Sequence, residues 1–362
     1  MHADFIRPDD PRWPRFLERV RHDVYQLPEY TTVAARYEGG EPVAFYAEDG
    51  PHALLMPLLL RDLPADLDAG IEEGDATGAY GYSGPVATPG IARETLCDMF
   101  AQFRALARQR SLLTAFIRVH PLRSPPIDLL QQLGTVIRHG PIVYVDLGRR
   151  VDEWWAETRS DHRRNLARLI RLGYSVDMDD WSTYPAFRTI YRTTMHRVSA
   201  SPFYYFSDEY FDDLHAQLGE RLHICTVRSP TGEVAASGLF MLTDGIAEYH
   251  LGGTAEAHFH NSPSKLMLDH ARHWAKERGA SVLNLGGGFG GNAGSLHYFK
   301  TGFSKSQADF HTIRVVMDDQ RYRQLTTGRG EPLRGDGVSD GFFPAYRRTT
   351  HDASSMSVQA PL

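Results

Sequence analysis

The chain of 362 residues is poor in several features that would announce a common protein class. It holds two cysteines, Cys97 and Cys225, each inside an apolar periodic segment. Two isolated thiols supply neither a disulfide framework nor a zinc ribbon, so they read as buried thiols of a reducing compartment. No apolar run reaches the roughly 18 residues of a membrane span. The opening MHADFIRPDDPRWPRF lacks the apolar core of a signal peptide, and the expected location is the cytoplasm. Lysine is scarce: Lys265, Lys276, Lys300 and Lys305 are the whole set, and the other basic residues are arginines. A lysine beside a glycine-rich loop therefore stands out. A net charge of −6 excludes a surface devoted wholly to nucleic acid, while leaving room for a local basic patch.

What is present is 42% hydrophobic and 23% charged residues, the balance of a soluble globular protein, in a length that suits two domains. A helix candidate at residues 11–20 is followed by a meander at 31–37, 43–47 and 53–60, punctuated by GGEP and DGPH turns. A long helix at 91–110 carries Leu96, Met99, Phe103 and Leu106 on one face. A strand (114–120), a short helix (127–133) and a strand (142–147) close that half. The second half repeats the order: helices at 151–172 and 184–197, a meander through 221–253, and a helix at 265–278. That helix is opened by Ser262 and Pro263 and closed by Gly279. A strand (281–285), a glycine loop, a short helix around Leu296 and a strand at 310–317 complete it. The repeated order predicts α/β domains at 1–150 and 151–325. Residues 326–362, rich in Gly, Arg, Asp and Ser, read as a mostly flexible tail in which FFPAYR (342–347) packs back onto a domain.

The stretch LNLGGGFGGNAGSLHYFKTGF at 283–303 gives Gly286, Gly288 and Gly291 the spacing G-x-G-x-x-G after a strand. A dinucleotide site also needs a long helix after the third glycine and an acidic residue about 20 positions on. Asp309 has the spacing, but Gly302 leaves room for little more than two helical turns. The loop is either a turn for close backbone approach or a cradle for another ligand.

The larger string from Tyr249 to Phe303 resembles the C-terminal domain of the FemABX family. The matching pieces are LGG (251–253), SPSKLML (262–268), AKERG (275–279), GGG (286–288) and F-K-T-G-F (299–303). SDHRRNLARLIRLGYSV (160–176) resembles that family's arginine-rich helix, and YGYSGPV and FIRVHPL match pieces of its first domain. The resemblance implies tandem GNAT-type acyltransferase domains of α/β (α+β) class with a shared central cleft. It also implies transfer of an aminoacyl group from aminoacyl-tRNA to an amine on a small peptide, a natural-product precursor or a cell-wall precursor. No cofactor is needed beyond the co-substrate. A monomer is expected. The long helical arm of many cell-wall members has no room between residues 253 and 262, which favours a small-molecule acceptor.

In the family the lysine of F-K-x-G-F engages the 3′ end of the donor, and Lys300 holds that position, with Phe299 beside it as a stacking surface. Aminolysis of an ester needs a neutral amine and stabilisation of a tetrahedral oxyanion. Lys300 and the amides of Gly286, Gly287 and Gly288 suit the second task. Glu248 is the candidate proton acceptor, with Tyr249 or His250 as substitutes; a solvent-facing strand carboxylate is the plain alternative. Arg164, Arg168 and Arg171 share one helix face and offer a phosphate track, or an ordinary solvated face. Ser262 and Ser264 can hold a donor phosphate. Tyr80, Tyr82, Arg118, Tyr191, Arg197, Tyr204, Tyr205 and His250 are the acceptor-binding candidates, although such an aromatic or arginine taken alone is more often packing or surface than a ligand contact. An acyl-CoA donor is the alternative, weakened because AHFHNSPSKLML lacks a Q/R-x-x-G-x-G/A turn. A non-catalytic peptide or tRNA-binding module is the rival of another class. His250, His258 and His260 lack metal-ligand spacing, so no metal is expected.

Overall fold

In a computed structural model of the chain, residues 1–67, 73–287, 294–327 and 341–348 are described. The first elements are β1 (His2–Ile6), α1 (Arg12–Leu17), α2 (Pro28–Glu38), β2 (Glu41–Asp49), β3 (His52–Asp62), β4 (Gly74–Thr77) and β5 (Val86–Ala87). They are followed by α3 (Arg93–Gln109), β6 (Leu112–Val119), α4 (Ile127–Leu130) and β7 (Thr135–Asp146). Next come α5 (Val151–Glu157), α6 (Ser160–Arg171), β8 (Ser175–Met178), α7 (Tyr184–Arg197), α8 (Asp208–Leu218), β9 (Leu222–Arg228), β10 (Val234–Thr243) and β11 (Ile246–Thr254). The remainder are α9 (Ser264–Glu277), β12 (Val282–Gly287), α10 (Ser295–Lys300), β13 (Gln307–Val316) and α11 (Asp319–Thr326).

These residues fall into two compact units: Met1–Gly140 with the described chain from Asp309, and Pro141–Ala308. The division thus lies within β7 and again within β13, where a break at residue 150 is expected from sequence. Pairing gives the reason. β13 runs antiparallel to β6, with Ile313 opposite Ile117 and Val315 opposite Ala115, so the last strand buries its apolar side in the core of the first unit. A strand ten residues long commits to the ladder that covers it, whatever its position in the chain.

In the first unit the strand order is β1-β2-β3-β4-β6-β13, antiparallel throughout except for the parallel pair β4–β6. Helix α3 lays Leu96, Met99, Phe100, Phe103 and Ala107 into the core against Phe45, Met56 and Ile117. The expected strand at 31–37 is instead part of α2. Pro28 occupies the first helical turn, Gly39 ends the helix, and Tyr30, Val33 and Ala34 bury one face at helical spacing. The paired threonines of TTVAARY favour a strand locally, and this buried face overrides them.

Phe343, Ala345 and Tyr346 of FFPAYR are buried with Tyr322, Leu325 and Leu113. The remainder of the expected tail, 328–340 and 349–362, lies outside the described residues. Cys225 is buried and its thiol is pushed up by desolvation, which keeps it unreactive; Cys97 is half-buried rather than buried. Among the described residues no helix is long and apolar enough to cross a membrane.

The second unit has the order β7-β12-β11-β10-β9-β8, again with one parallel pair, β11–β12. Residues 151–172, read as one helix, are two. Thr158 is extended and turns its hydroxyl to donate to Trp154 O at 2.8 Å, while the Arg159 N–H leaves the helix to donate to Gly302 O at 2.9 Å. That break ties the start of α6 to the end of α10 and so positions the site.

Candidate active site

The parallel ladder between β11 and β12 is short. Ile246, Ala247 and Glu248 pair with Val282, Leu283 and Asn284, and the described pairing stops there although both strands continue. Beyond that point the two backbones diverge into a fork. Irregularities mark both strands: the β10–β11 register slips so that His250 is an extra residue between Tyr249 and Leu251, and the β12–β7 register slips between Asn284 and Gly286. Bulges next to a strand end re-aim side chains. Gly286 has φ of 76°, a conformation that disfavours any side chain, and its N–H donates to Asn284 Oδ1 at 2.9 Å.

At the closed end of the fork Asn284 Nδ2 donates to Glu248 Oε1 at 3.0 Å, and both side chains are buried. Glu248 is therefore no solvent-facing strand carboxylate. Lys300, the last residue of α10, is fully buried, and its Nζ donates to Gly287 O at 2.8 Å. The Tyr249 ring centroid is 6.0 Å from the same nitrogen. Burial draws the Lys300 ammonium down to about 7, opposed by the Glu248 carboxylate. A lysine that changes charge near neutrality can donate or accept a proton where an ordinary lysine cannot. Tyr249 is unsuited as a base, because burial pushes its phenol far up.

The motif F-K-T-G-F has a physical explanation in His162. This buried imidazole of α6 is kept neutral by desolvation, and its Nε2–H donates to Phe299 O at 3.0 Å. A Cβ on Gly302 would land inside contact distance of that ring. The glycine thus lets α10 close onto α6 and fixes the end of the helix that bears Lys300. Gly302→Ala is expected to lower the transfer rate about tenfold and stability by about 1–3 kcal/mol through overpacking. His162→Ala in the same chain should restore part of both. A wild-type rate in the Gly302→Ala protein, measured beside its melting curve, would remove this role for the glycine.

Other candidates are placed differently from their sequence reading. Phe299 packs its ring against His162 and Phe303, centroids 5.6 Å away in each case, and is partly covered. Gly286 and Gly287 end β12, whereas Gly288 and Gly291 lie outside the described residues. Ser262, left-handed at φ 53°, closes a 3-10 turn (Glu256–Asn261), and Ser264 begins α9. Arg164, Arg168 and Arg171 are exposed on α6, but Arg168 is occupied within the unit: its Nη2 donates to Asn261 Oδ1 at 2.7 Å. Asn165 Nδ2 also donates to Asn261 O, so this end of α6 anchors the loop before α9.

Tyr191 and Tyr204 are not ligand-facing. Tyr191 is fully buried among Phe187, Phe206 and Phe211, and its hydroxyl donates to Tyr204 O at 2.8 Å. Their sequence, YRTTMHRVSASPFYYF, builds the α7–α8 core, because α8, unread from sequence, covers it. Tyr205 is exposed beside His196, and Arg197 lies over the Phe259 ring at 4.4 Å. His250 is buried with Nε2 3.2 Å from Tyr210 Oη, while His258 Nδ1 lies 3.1 Å from Tyr174 Oη. In the first unit Tyr80 and Tyr82 are buried, the latter against Tyr25, His120 and Phe310, and Arg118 Nη1 donates to Gly78 O. Asn284 was missed, although a polar residue inside the strand run VLNL was a readable signal.

Residues 156–300 match the family model described as Acetyltransferase (GNAT) domain. Among solved structures the chain is similar to that of FemX, at 13% identity and TM-score 0.69, with 90% of this chain and 99% of that chain covered. It is also similar to L-PGS from Bacillus licheniformis, at 15% identity and TM-score 0.55, covering 85% and 92% of the two chains. A third likeness is to the C-terminal domain (DUF2156) of a putative lysylphosphatidylglycerol synthetase from Agrobacterium fabrum, at 16% identity and TM-score 0.54, covering 84% and 91%. Comparison with curated proteins gives no match. With its GNAT domain at residues 156–300, the chain has the fold of the FemABX-like tandem GNAT proteins.

Proposed function

We propose that the protein is an aminoacyltransferase that takes its aminoacyl group from aminoacyl-tRNA and forms an amide bond on an amine of a small peptide or peptide-like precursor. The observation that carries this reading is Lys300: fully buried, held on Gly287 O at the strand fork, and titrating near neutrality beside Glu248. In the reaction the acceptor nitrogen attacks the ester carbonyl, negative charge develops on the carbonyl oxygen, and the intermediate collapses by expelling the ribose oxygen. The nitrogen loses a proton and the ribose oxygen gains one. Protonated Lys300 suits the stabilisation of the oxyanion or the supply of that last proton, and Glu248 suits acceptance of the first. No covalent enzyme intermediate is required.

Arg164 and Arg171, exposed and free of the duty that Arg168 has, are the phosphate contacts this reading assigns to the RNA. The GNAT match favours a second reading, an acyl-CoA donor. Donor binding separates them. Charged tRNA and acetyl-CoA are compared on the purified protein at two salt concentrations, with wild type and with Arg164→Glu/Arg171→Glu. The expected result is salt-sensitive tRNA binding, weakened about tenfold or more in the double variant, with a shallower salt dependence. Acetyl-CoA binding without tRNA binding would overturn the proposal in favour of the second reading.

A further inference from the structure

Tyr298 lies on α10 between residues already discussed, yet packs into no core: it is 62% exposed. The Arg159 guanidinium covers one face of its ring, with Cζ 3.8 Å from the centroid. That guanidinium is itself fixed. Nη1 donates to Tyr298 O at 2.9 Å and Nε donates to Asp161 Oδ1 at 2.6 Å. The Arg159 N–H, bonded to Gly302 O, fixes the backbone from which it reaches. Tyr298 is thus an aromatic plate held from behind, and a side chain already held loses little freedom when a partner stacks on it. Behind the plate two cations share one carboxylate: Arg159 is bonded to Asp161, and Lys265 Nζ lies 3.7 Å from Asp161 Oδ2.

We propose that Tyr298, backed by Arg159, is a stacking platform for an unpaired base in the single-stranded 3′ end of the RNA donor. The proposal rests on the aminoacyl-tRNA reading and adds a subsite to it. An anion alone would be met by Arg159 and Lys265 and has no use for an aromatic face; a base joined to phosphates uses both. Helix geometry places the subsite relative to the reacting ester. Residues two apart on a helix point about 200° apart, so Tyr298 faces away from Lys300. The base on Tyr298 is therefore not the esterified one, and the proposal assigns it to a nucleotide one or two positions upstream.

The test uses the full chain and a short RNA with a single-stranded 3′ end carrying 2-aminopurine one or two positions before the last nucleotide, a base whose emission falls on stacking. Wild type and Tyr298→Phe should bind and quench it. Tyr298→Ala should bind about tenfold or more weakly and lose the quenching, with an unchanged melting temperature because the side chain is exposed. Wild-type affinity and quenching in the alanine variant would overturn the platform while leaving the donor reading intact. Failure of the wild-type protein to bind either this RNA or charged tRNA at low salt would overturn the donor reading, and the platform with it.

Discussion

Asp75→Asn should lower the stability of the first unit by about 3 kcal/mol, within the range for removing one member of a buried ionic cluster. Asp75 is fully buried on β4 and accepts from Arg61 Nε at 2.9 Å, from Tyr346 Oη at 3.0 Å and from Arg347 Nε. Tyr346 reaches Thr114 Oγ1 as well, at 2.8 Å, and burial beside Asp75 keeps its phenol protonated far above neutrality. The carboxylate thus joins three donors, two of them cationic, from β3 and from the segment after α11. An asparagine presents one oxygen and one NH2 group to the same three donors, so at least one donor faces another donor. Tyr346→Phe removes a single neutral donor and should cost about 1 kcal/mol. Thermal melts of the three proteins decide the matter: a drop of about 6 °C or more is expected for Asp75→Asn, given about 2–4 °C per kcal/mol at this size. A drop no larger than that of Tyr346→Phe would mean that FFPAYR is held by apolar packing alone.

Much of the fold was legible because apolar periodicity survives in single segments. The helix α3, with Met99 and Phe103 four apart, and α9, punctuated by Pro263 and Gly279, stand close to where the sequence puts them. The misreadings share one cause, that a local signal was outvoted by a distant partner. TTVAARY reads as a strand until Tyr30, Val33 and Ala34 are seen to share a buried face. The break at Thr158 has no glycine or proline to announce it; it exists because the Arg159 N–H finds Gly302 O, 143 positions later in the chain. The fate of β13 was equally hidden, since nothing in QADFHTIRVV names β6 as its partner.

The candidate site divides in the same way. Lys300 was legible from F-K-T-G-F and from the rarity of lysine, and Glu248 from its place before LGG. Their environment was not. The fork between β11 and β12, the Asn284 bond to Glu248 and the His162 bond to Phe299 O join residues up to 137 positions apart. Aromatic residues were the least legible. A tyrosine in sequence carries no sign of whether its ring is core or platform, so Tyr191 stood as an acceptor-binding candidate beside its packing alternative and proves buried, while Tyr298, exposed on its arginine, passed unread.

Lys300→Met should abolish most transfer and at the same time make the protein more stable below neutral pH. Loss of a single preorganised donor to an oxyanion lowers kcat by about 10²–10³, and methionine fills similar space without charge. Stability follows from proton linkage. The unfolded lysine titrates near 10.4 and the folded one at about 7, so between those values the unfolded chain binds more protons and stability rises with pH. Below about 7 the burden of the buried ammonium is fully present, with an upper bound of about 5 kcal/mol. The methionine variant lacks it. Its advantage over wild type should be greatest at pH 6 and vanish as pH approaches 10, reduced throughout by the donor that Gly287 O has lost. Activity supplies the companion curve: if Lys300 acts as a cation, kcat/KM of the wild type falls above about pH 7 while deprotonation of the acceptor amine pushes the other way, giving a bell. A variant that keeps more than a tenth of the wild-type rate, or that melts below wild type at pH 6, would show that this buried lysine is structural. A destabilising charge at a strand fork is the expected signature of a group that acts there, and the opposed signs of the two effects separate that case from ordinary packing.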